Sequence, residues 1–405
     1  MNEKFIIRTS ITTILMKRLF ISTIFLLIVL VVIYGQRKEV PVFSSGQDGY
    51  KSFRIPAIIG LPDGKLIAFC EGRVNGPGDF GNNDLVMKSS TDKGKTWSAL
   101  QIVDDLGDLQ LGNPAPVVDM TDPAYPEGRL FLFYNTGNNH EGEILKGNGI
   151  KRCFYKTSVD GGYTWLEPVD ITLQVHRPNK PSVDINFNFP EDWRYYSNTP
   201  GHAMQFLSGK FKGRIFVAAN HTAGEPKKDS EHYLAHGYYS DDHGKTFKIG
   251  KSVDLPGSNE SMAVELSDDR LMMNSRNQKG DVRARIVSIS SDGGAAWDTT
   301  YFDKTLIDPV CQGSILSLGR IKGKEILAFC NPADTLNRDN LILRISYDEG
   351  KTWEKKITVY KGPERKTNFA YAAYSDLVKI DESLIGILYE KDNYSTITFV
   401  VKNWK

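Results

Sequence analysis

Three arginines stand in short, distinctive contexts far apart in the chain. Arg54 lies in Phe53-Arg54-Ile55-Pro56, Arg276 closes Asn274-Ser275-Arg276, and Arg338 falls between Asn331-Pro332 and Asn340-Leu341. A guanidinium is a planar fork of donors that matches a carboxylate, so three brought together would fix an anionic group firmly. Taken singly, an arginine after an aromatic is by default a solvated residue at a strand end. Two further segments, Asn259-Glu260-Ser261 and Ala373-Tyr374-Ser375-Asp376-Leu377, carry side chains able to take a proton or to attack an electrophilic carbon. A stretch reading Glu71-Gly72-Arg73-Val74-Asn75-Gly76-Pro77-Gly78-Asp79-Phe80-Gly81 adds an aspartate on a glycine-rich loop that could close over a ligand. On its own such an aspartate is more often a turn residue. The three arginines can meet only if the chain closes on itself.

A repeat supplies the elements for that closure. Ser90-Thr91-Asp92-Lys93-Gly94-Lys95-Thr96-Trp97 recurs at 158–165, 240–247 and 346–353, with a worn copy at 290–297 in which Ala296 replaces the threonine. The box aspartates, Asp92, Asp160, Asp242, Asp292 and Asp348, are 68, 82, 50 and 56 residues apart. Ser and Asp side chains bond nearby backbone, Gly supplies a positive φ, and the aromatic packs under the turn, so each box reads as a hairpin. Short runs rich in Leu, Ile and Val flank them, with further strands predicted at 65–70, 129–134, 214–219, 271–275, 325–329 and 384–389. No long segment after residue 40 has a strong 3.6-residue period. Short strands in a repeat of this length predict an all-β fold, a six-bladed β-propeller with hairpin boxes on its outer turns. A β-solenoid or a pair of sandwiches is the rival architecture.

Composition narrows the function classes. The 405 residues carry 50 basic and 49 acidic side chains, a net charge of +1, which argues against nucleic acid as a partner. Apolar residues make up 40%, enough for a substantial core. The four cysteines, Cys70, Cys153, Cys311 and Cys330, have spacings that define neither a disulfide framework nor a zinc site, and Cys70 and Cys330 sit in strand-like runs where burial is expected. Residues 19–34 are almost continuously apolar and follow Lys17-Arg18, so residues 1–36 read as a signal peptide with Gly35 near the cleavage site, or as a retained anchor. Met16 is an alternative start. Export to the periplasm, the cell surface or the medium follows, and residues 37–405 are left for the propeller.

The motifs together resemble those of the sialidases, in particular the bacterial enzymes of glycoside hydrolase family 33. The boxes resemble that family's Asp boxes, which non-enzymatic propellers also carry. The specific likeness lies in the Phe-Arg-Ile-Pro segment, the Glu260, Arg276 and Arg338 segments and Ala-Tyr-Ser-Asp-Leu, in order from about residue 45 to the end. The resemblance implies an exo-sialidase acting on sialylated glycans, with Arg54, Arg276 and Arg338 holding the sugar's carboxylate. It implies Tyr374 as nucleophile, Glu260 as its base and Asp79 as acid/base, with Asp84 as runner-up for the last role. Glu390 would hold Arg54 by an ion pair, and Arg73 would reach ring substituents near C4. A neutral phenol suits this substrate, because a carboxylate nucleophile would meet the repulsion of the substrate's own carboxylate; sialidases are a recognised tyrosine exception among glycosidases. Trp193, Tyr195 and Tyr196, in the stretch 175–200, could line the pocket or belong to an ordinary insertion.

No metal or organic cofactor is expected, the chain is expected to act as a monomer, and membrane attachment could come only through the N-terminal segment. A trans-sialidase or intramolecular trans-sialidase would use the same residues. A non-catalytic sialoglycan-binding propeller would be marked by loss of the tyrosine, glutamate or aspartate while the arginines remained.

Overall fold

Antiparallel hairpins account for almost all of the regular structure. The computed structural model describes residues 39–363 and 369–405. The segment expected to be a signal peptide or anchor, 1–36, lies outside the described residues. Among the described residues the only helices are Glu141–Leu145, Thr172–Val175 and a 3₁₀ turn at Lys228–Ser230, and none is long and apolar enough to cross a membrane. All six strands predicted from sequence form. Each runs two to four residues further at its C-terminal end than predicted, as in Leu66–Arg73, Arg129–Gly137 and Ile215–Ala223.

Residues Val40–Lys405 fold as one unit, an all-β propeller. Where the sequence predicts six separate sheets, hydrogen bonding joins the strands into five. Three of them are four-stranded meanders or their equivalent, one has five strands, and one has eight. The eight-stranded sheet consists of two successive meanders joined by a single parallel bridge between Asn83 and Gln110. One four-stranded sheet takes its edge strand, Val40–Ser44, from the start of the described chain and pairs it with Thr396–Asn403 near the end. A ring built this way has its first and last strands in one sheet.

The core lies between successive meanders, because alternate side chains of a strand face its two neighbours. Ile67, Phe69 and Leu85 of one meander pack with Leu130, Leu132 and Tyr134 of the next. Equivalent clusters continue around the molecule, and the last links Val378, Leu388 and Phe399 back to Phe53, Ala68 and Val86. Central strands are thus covered on both faces, which is why Leu66–Arg73 is buried throughout.

The boxes form the hairpins expected of them. In the first, Ser90 Oγ donates to Asp92 Oδ1 at 2.8 Å and accepts from Gly94 N at 2.9 Å, while Thr96 N and Oγ1 bond the two carboxylate oxygens at 2.9 and 2.7 Å. In the worn box Ala296 N keeps its bond to Asp292 at 2.8 Å and the hydroxyl bond is lost. The residue before the conserved glycine has a left-handed φ in every box: Lys93, Gly161, His243, Gly293 and Glu349. That position also reaches across to the preceding meander. Lys93 pairs with Asp381 at 3.1 Å, His243 Nδ1 with Asp119 at 2.7 Å, and Glu349 accepts from Arg270 at 2.6 Å. Where the position is glycine, its carbonyl accepts a neighbour's cation instead, Lys65 at Gly161 (2.8 Å) and Arg214 at Gly293 (3.0 Å). Each box therefore shapes its own turn and clasps the meander before it.

Candidate active site

The pocket forms where innermost strands begin. Five of these strands carry a register shift near their first residues: between Arg54 and Ala57, Gly112 and Ala115, Trp193 and Tyr196, Ser258 and Ser261, and Ala372 and Ser375. A bulge re-aims the side chains inside it. Arg54, Asn113, Tyr195, Glu260 and Tyr374 lie in or at these five shifts and line one cavity of about 390 Å³. Ile55 adopts φ +61°, a strained conformation for a β-branched residue. Its N–H is held by Glu390 Oε1 at 2.9 Å.

Glu390 is the organiser of this corner. Its Oε1 also takes Arg54 Nε at 2.7 Å, and its Oε2 accepts from Tyr374 N at 3.3 Å. Arg54 lies over the Tyr394 ring at 3.9 Å. Arg338 donates to Tyr394 Oη at 3.2 Å and stands 5.3 Å from the Tyr374 ring centroid. Arg276 Nη1 donates to Glu260 Oε2 at 2.7 Å and to Tyr374 Oη at 3.0 Å. Tyr374 Oη in turn donates to Glu260 Oε1 at 2.5 Å. The three arginines from distant repeats thus surround one tyrosine. Burial pushes the Tyr374 phenol well above its ordinary pKa and the Glu260 charge adds to this, against the pull of Arg276 and Arg338. The hydroxyl is neutral at rest and needs a base; Glu260 is in hydrogen-bond contact to be one.

Asp79 sits across the cavity on the loop 74–82. Its Oδ1 accepts from Arg73 Nη1 at 2.8 Å, and its side chain is 82% exposed. Desolvation in the cleft works to raise its pKa, but the charges of Arg73, Arg54 and Arg338 outweigh it and hold the carboxyl below the ordinary value. Arg73 is buried and fixed by Glu71 Oε2 at 2.9 and 2.7 Å and by Pro77 O at 2.6 Å. The runner-up Asp84 is placed elsewhere: it is buried, accepts from Tyr50 Oη at 2.6 Å, and does not line the cavity.

The aromatic stretch divides. Tyr195 lines the pocket, whereas Trp193 and Tyr196 turn into the core beside His176, His221 and His236. Sequence reasoning did not find Tyr394, which follows Asp392-Asn393 and adopts a left-handed φ of +65°. It also missed Gln110, Asn113, Lys151 and Asn220 on the wall away from the arginines; no short motif marks them. The four cysteines are buried and free. Asp119, Asp122 and His243 come close enough to suggest a metal site on an outer turn. Asp119, however, already accepts from Thr121, Gln205 and His243, and Asp122 pairs with Arg129 at 3.1 Å, so these groups satisfy one another.

Residues 64–387 match the family model described as a BNR repeat-like domain. The chain belongs to the BNR repeat-like family. Among curated members it is 29% identical over 364 residues to a sialidase of Micromonospora viridifaciens, covering 85% of this chain and 51% of that protein. It is 28% identical over 380 residues to a sialidase of Bacteroides fragilis, covering 87% and 62%. This BNR-repeat chain therefore spans about half to three-fifths of the length of those relatives. Among solved structures, the Hadza microbial sialidase Hz136 superposes with a TM-score of 0.75 at 26% identity, covering 91% of this chain and 69% of that one. The intramolecular trans-sialidase of Ruminococcus gnavus gives 0.70 at 17% identity over 90% of this chain and 97% of that one, a likeness of fold alone.

Proposed function

We propose that this chain is an exo-α-sialidase that hydrolyses terminal sialic acids from glycoproteins, glycolipids and oligosaccharides. The observation that carries this reading is the contact triangle of Tyr374, Glu260 and Arg276, with Arg54 and Arg338 on its other sides. The arginines would hold the substrate carboxylate and so place the anomeric carbon against Tyr374 Oη. In the first step Tyr374 Oη attacks that carbon and passes its proton to Glu260. The bond to the aglycone breaks and its oxygen takes the proton of Asp79. In the second, Asp79 removes a proton from water, the water oxygen attacks the anomeric carbon, and the bond to Tyr374 breaks. Glu260 returns the proton to the phenolate. Two displacements give net retention. Asp79 must first leave Arg73, which its position on a glycine-rich loop favours.

The blade count belongs to the same reading: the single-bridge joint at Asn83 and Gln110 supports taking the eight-stranded sheet as two blades, six in all. The substrate's place outside the cell and export through residues 1–36 complete the picture, with the propeller acting as a monomer. A sialyl transferase would share every group named above. Hydrolysis of a fluorogenic sialoside, with products analysed with and without added lactose, separates hydrolase, transferase and binder. Tyr374→Phe and Asp79→Ala are each expected to lose at least two orders of magnitude in kcat with the fold intact; unchanged turnover in either removes that residue from its role.

A further inference from the structure

The backbone beside Tyr374 is held by a side chain from another meander. Ala372–Lys379 is the first strand of its meander, and among the described residues only Leu384–Lys391 pairs with it. That pairing is interrupted between Ala372 and Ser375, so Tyr374 lies in the bulge, and Ser375, opposite Tyr389, is where the ladder resumes. Ser375 is fully buried, and the other edge of its strand has no strand beside it among the described residues. A buried peptide N–H or C=O without a partner is costly, so both groups of Ser375 need one.

One carboxamide supplies both. Gln312 precedes the strand Ser314–Ile321 of the preceding meander and is 1% exposed. Its Oε1 accepts from Ser375 N at 3.0 Å, and its Nε2 donates to Ser375 O at 3.0 Å. The side-chain amide thereby takes the place of one peptide unit of a neighbouring strand. Nε2 also donates to Pro200 O at 3.4 Å, which ties it to a third meander. Gln312 does not line the cavity, and its hydrogen-bond partners include no charged group.

We infer that Gln312 is a positioning residue for Tyr374: it pins Ser375 and so fixes the bulge that holds the phenol against Glu260 and Arg276. The inference rests on the reading of Tyr374 as the nucleophile given above. Tyr374 Oη keeps two contacts at once, Glu260 at 2.5 Å and Arg276 at 3.0 Å. A misplacement of about 1 Å is enough to cost roughly 100-fold in rate at a reacting centre. Arg54, Arg276 and Arg338 stand on other strands and loops, so they would still hold a carboxylate. Loss of Gln312 therefore falls on kcat and spares binding.

Two variants of the full chain test this with a fluorogenic sialoside. Gln312→Met keeps the length of the side chain and removes both bonds to Ser375. It is expected to lose about tenfold or more in kcat, with KM and the inhibition constant of 2-deoxy-2,3-didehydro-N-acetylneuraminic acid within about twofold of the wild type. Gln312→Glu keeps both bonds only when protonated. Its O–H then donates to Ser375 O and its C=O accepts from Ser375 N, whereas the carboxylate repels Ser375 O. Its kcat, divided by that of the wild type at the same pH, should rise as pH falls. A buried carboxyl can hold its proton up to about pH 8–9, so the comparison runs from about pH 5 to about pH 9. A residue that only tied meanders together would change the melting temperature and leave kcat of the folded protein and that ratio unmoved. Unchanged kcat in Gln312→Met, or a loss that lies in KM, overturns the inference. A constant ratio for Gln312→Glu overturns it as well, and decides alone where Gln312→Met does not fold. No cleavage by the wild type overturns the sialidase reading itself, and full activity of Tyr374→Phe overturns the choice of nucleophile.

Discussion

Asp79 meets its proposed role in the wrong protonation state and must be brought to the right one. Paired with Arg73, it is a carboxylate at neutral pH, and an acid needs its proton. Because its pKa in the empty site is lowered, the protonated fraction grows only as pH falls into and below the ordinary carboxylate range. The profile of kcat/KM reports the free enzyme, so it should have an acidic optimum and decline as pH rises. Arg73→Gln removes the largest opposing charge and should move that declining limb to higher pH; a limb that stays in place excludes Asp79 as the group responsible. Glu390 allows a second expectation. Glu390→Gln leaves Arg54 buried with its charge uncompensated, a change that costs about 3–5 kcal/mol when buried pairs are broken. Denaturant unfolding should show that loss, and KM should rise more than kcat falls, since Arg54 binds carboxylate and Tyr374 keeps Glu260. Arg54, Arg276, Arg338, Glu260 and Tyr374 were legible in the sequence because each sits in a short motif. Lys151 and Tyr394 were not, since a lysine at a strand start and a tyrosine in a turn look the same whether or not a cavity lies beside them.

At the scale of elements, the boxes and the bulges divide the work between different strands: the boxes close turns after the third strands of the meanders, and the five bulges lie near the starts of innermost strands. The boxes shape outer turns and the bulges aim side chains at the centre. The worn box offers a gain-of-stability experiment. Ala296 N already bonds Asp292, so Ala296→Thr should place its hydroxyl on the free side of that carboxylate, as Thr96 does on Asp92. One added hydrogen bond is worth about 0.5–1.5 kcal/mol, and the urea midpoint should rise with unchanged slope. A lower midpoint would show that the box turn at 290–297 differs from the others. The same division explains which strand ends were predicted. The apolar starts at 65–70 and 129–134 announced themselves. Their continuations, Glu71-Gly72-Arg73 and Asn135-Thr136-Gly137, are polar because they approach the pocket, and polar residues with glycine do not read as strand.

Across the whole molecule, acid has a cost for the fold that opposes its benefit to Asp79. His176, His221 and His236 are buried beside Trp193, with His221 stacked on it at 3.6 Å and paired with His236 at 3.1 Å. Burial holds all three below the ordinary histidine value, His236 at about 3. The unfolded chain therefore binds protons that the native state refuses. The stability tied to these imidazoles is complete above about pH 6.5 and is lost progressively as pH falls toward their folded values. The melting temperature should drop between pH 7 and pH 5, and His236→Gln should flatten that slope; equal slopes would show that the cluster is not the source. The ring that encloses these groups is closed by Val40–Ser44 lying antiparallel to Thr396–Asn403, with Val40 opposite Phe399. Residue 40, where the closing strand begins, and the chain's last strand end thus leave the sheet from the same side. Tension applied there would load the hydrogen bonds in sequence, as a zipper, and not together in shear. The propeller resists heat and denaturant through its whole circumference, but against a pull along its own chain it is only as strong as one rung of that ladder.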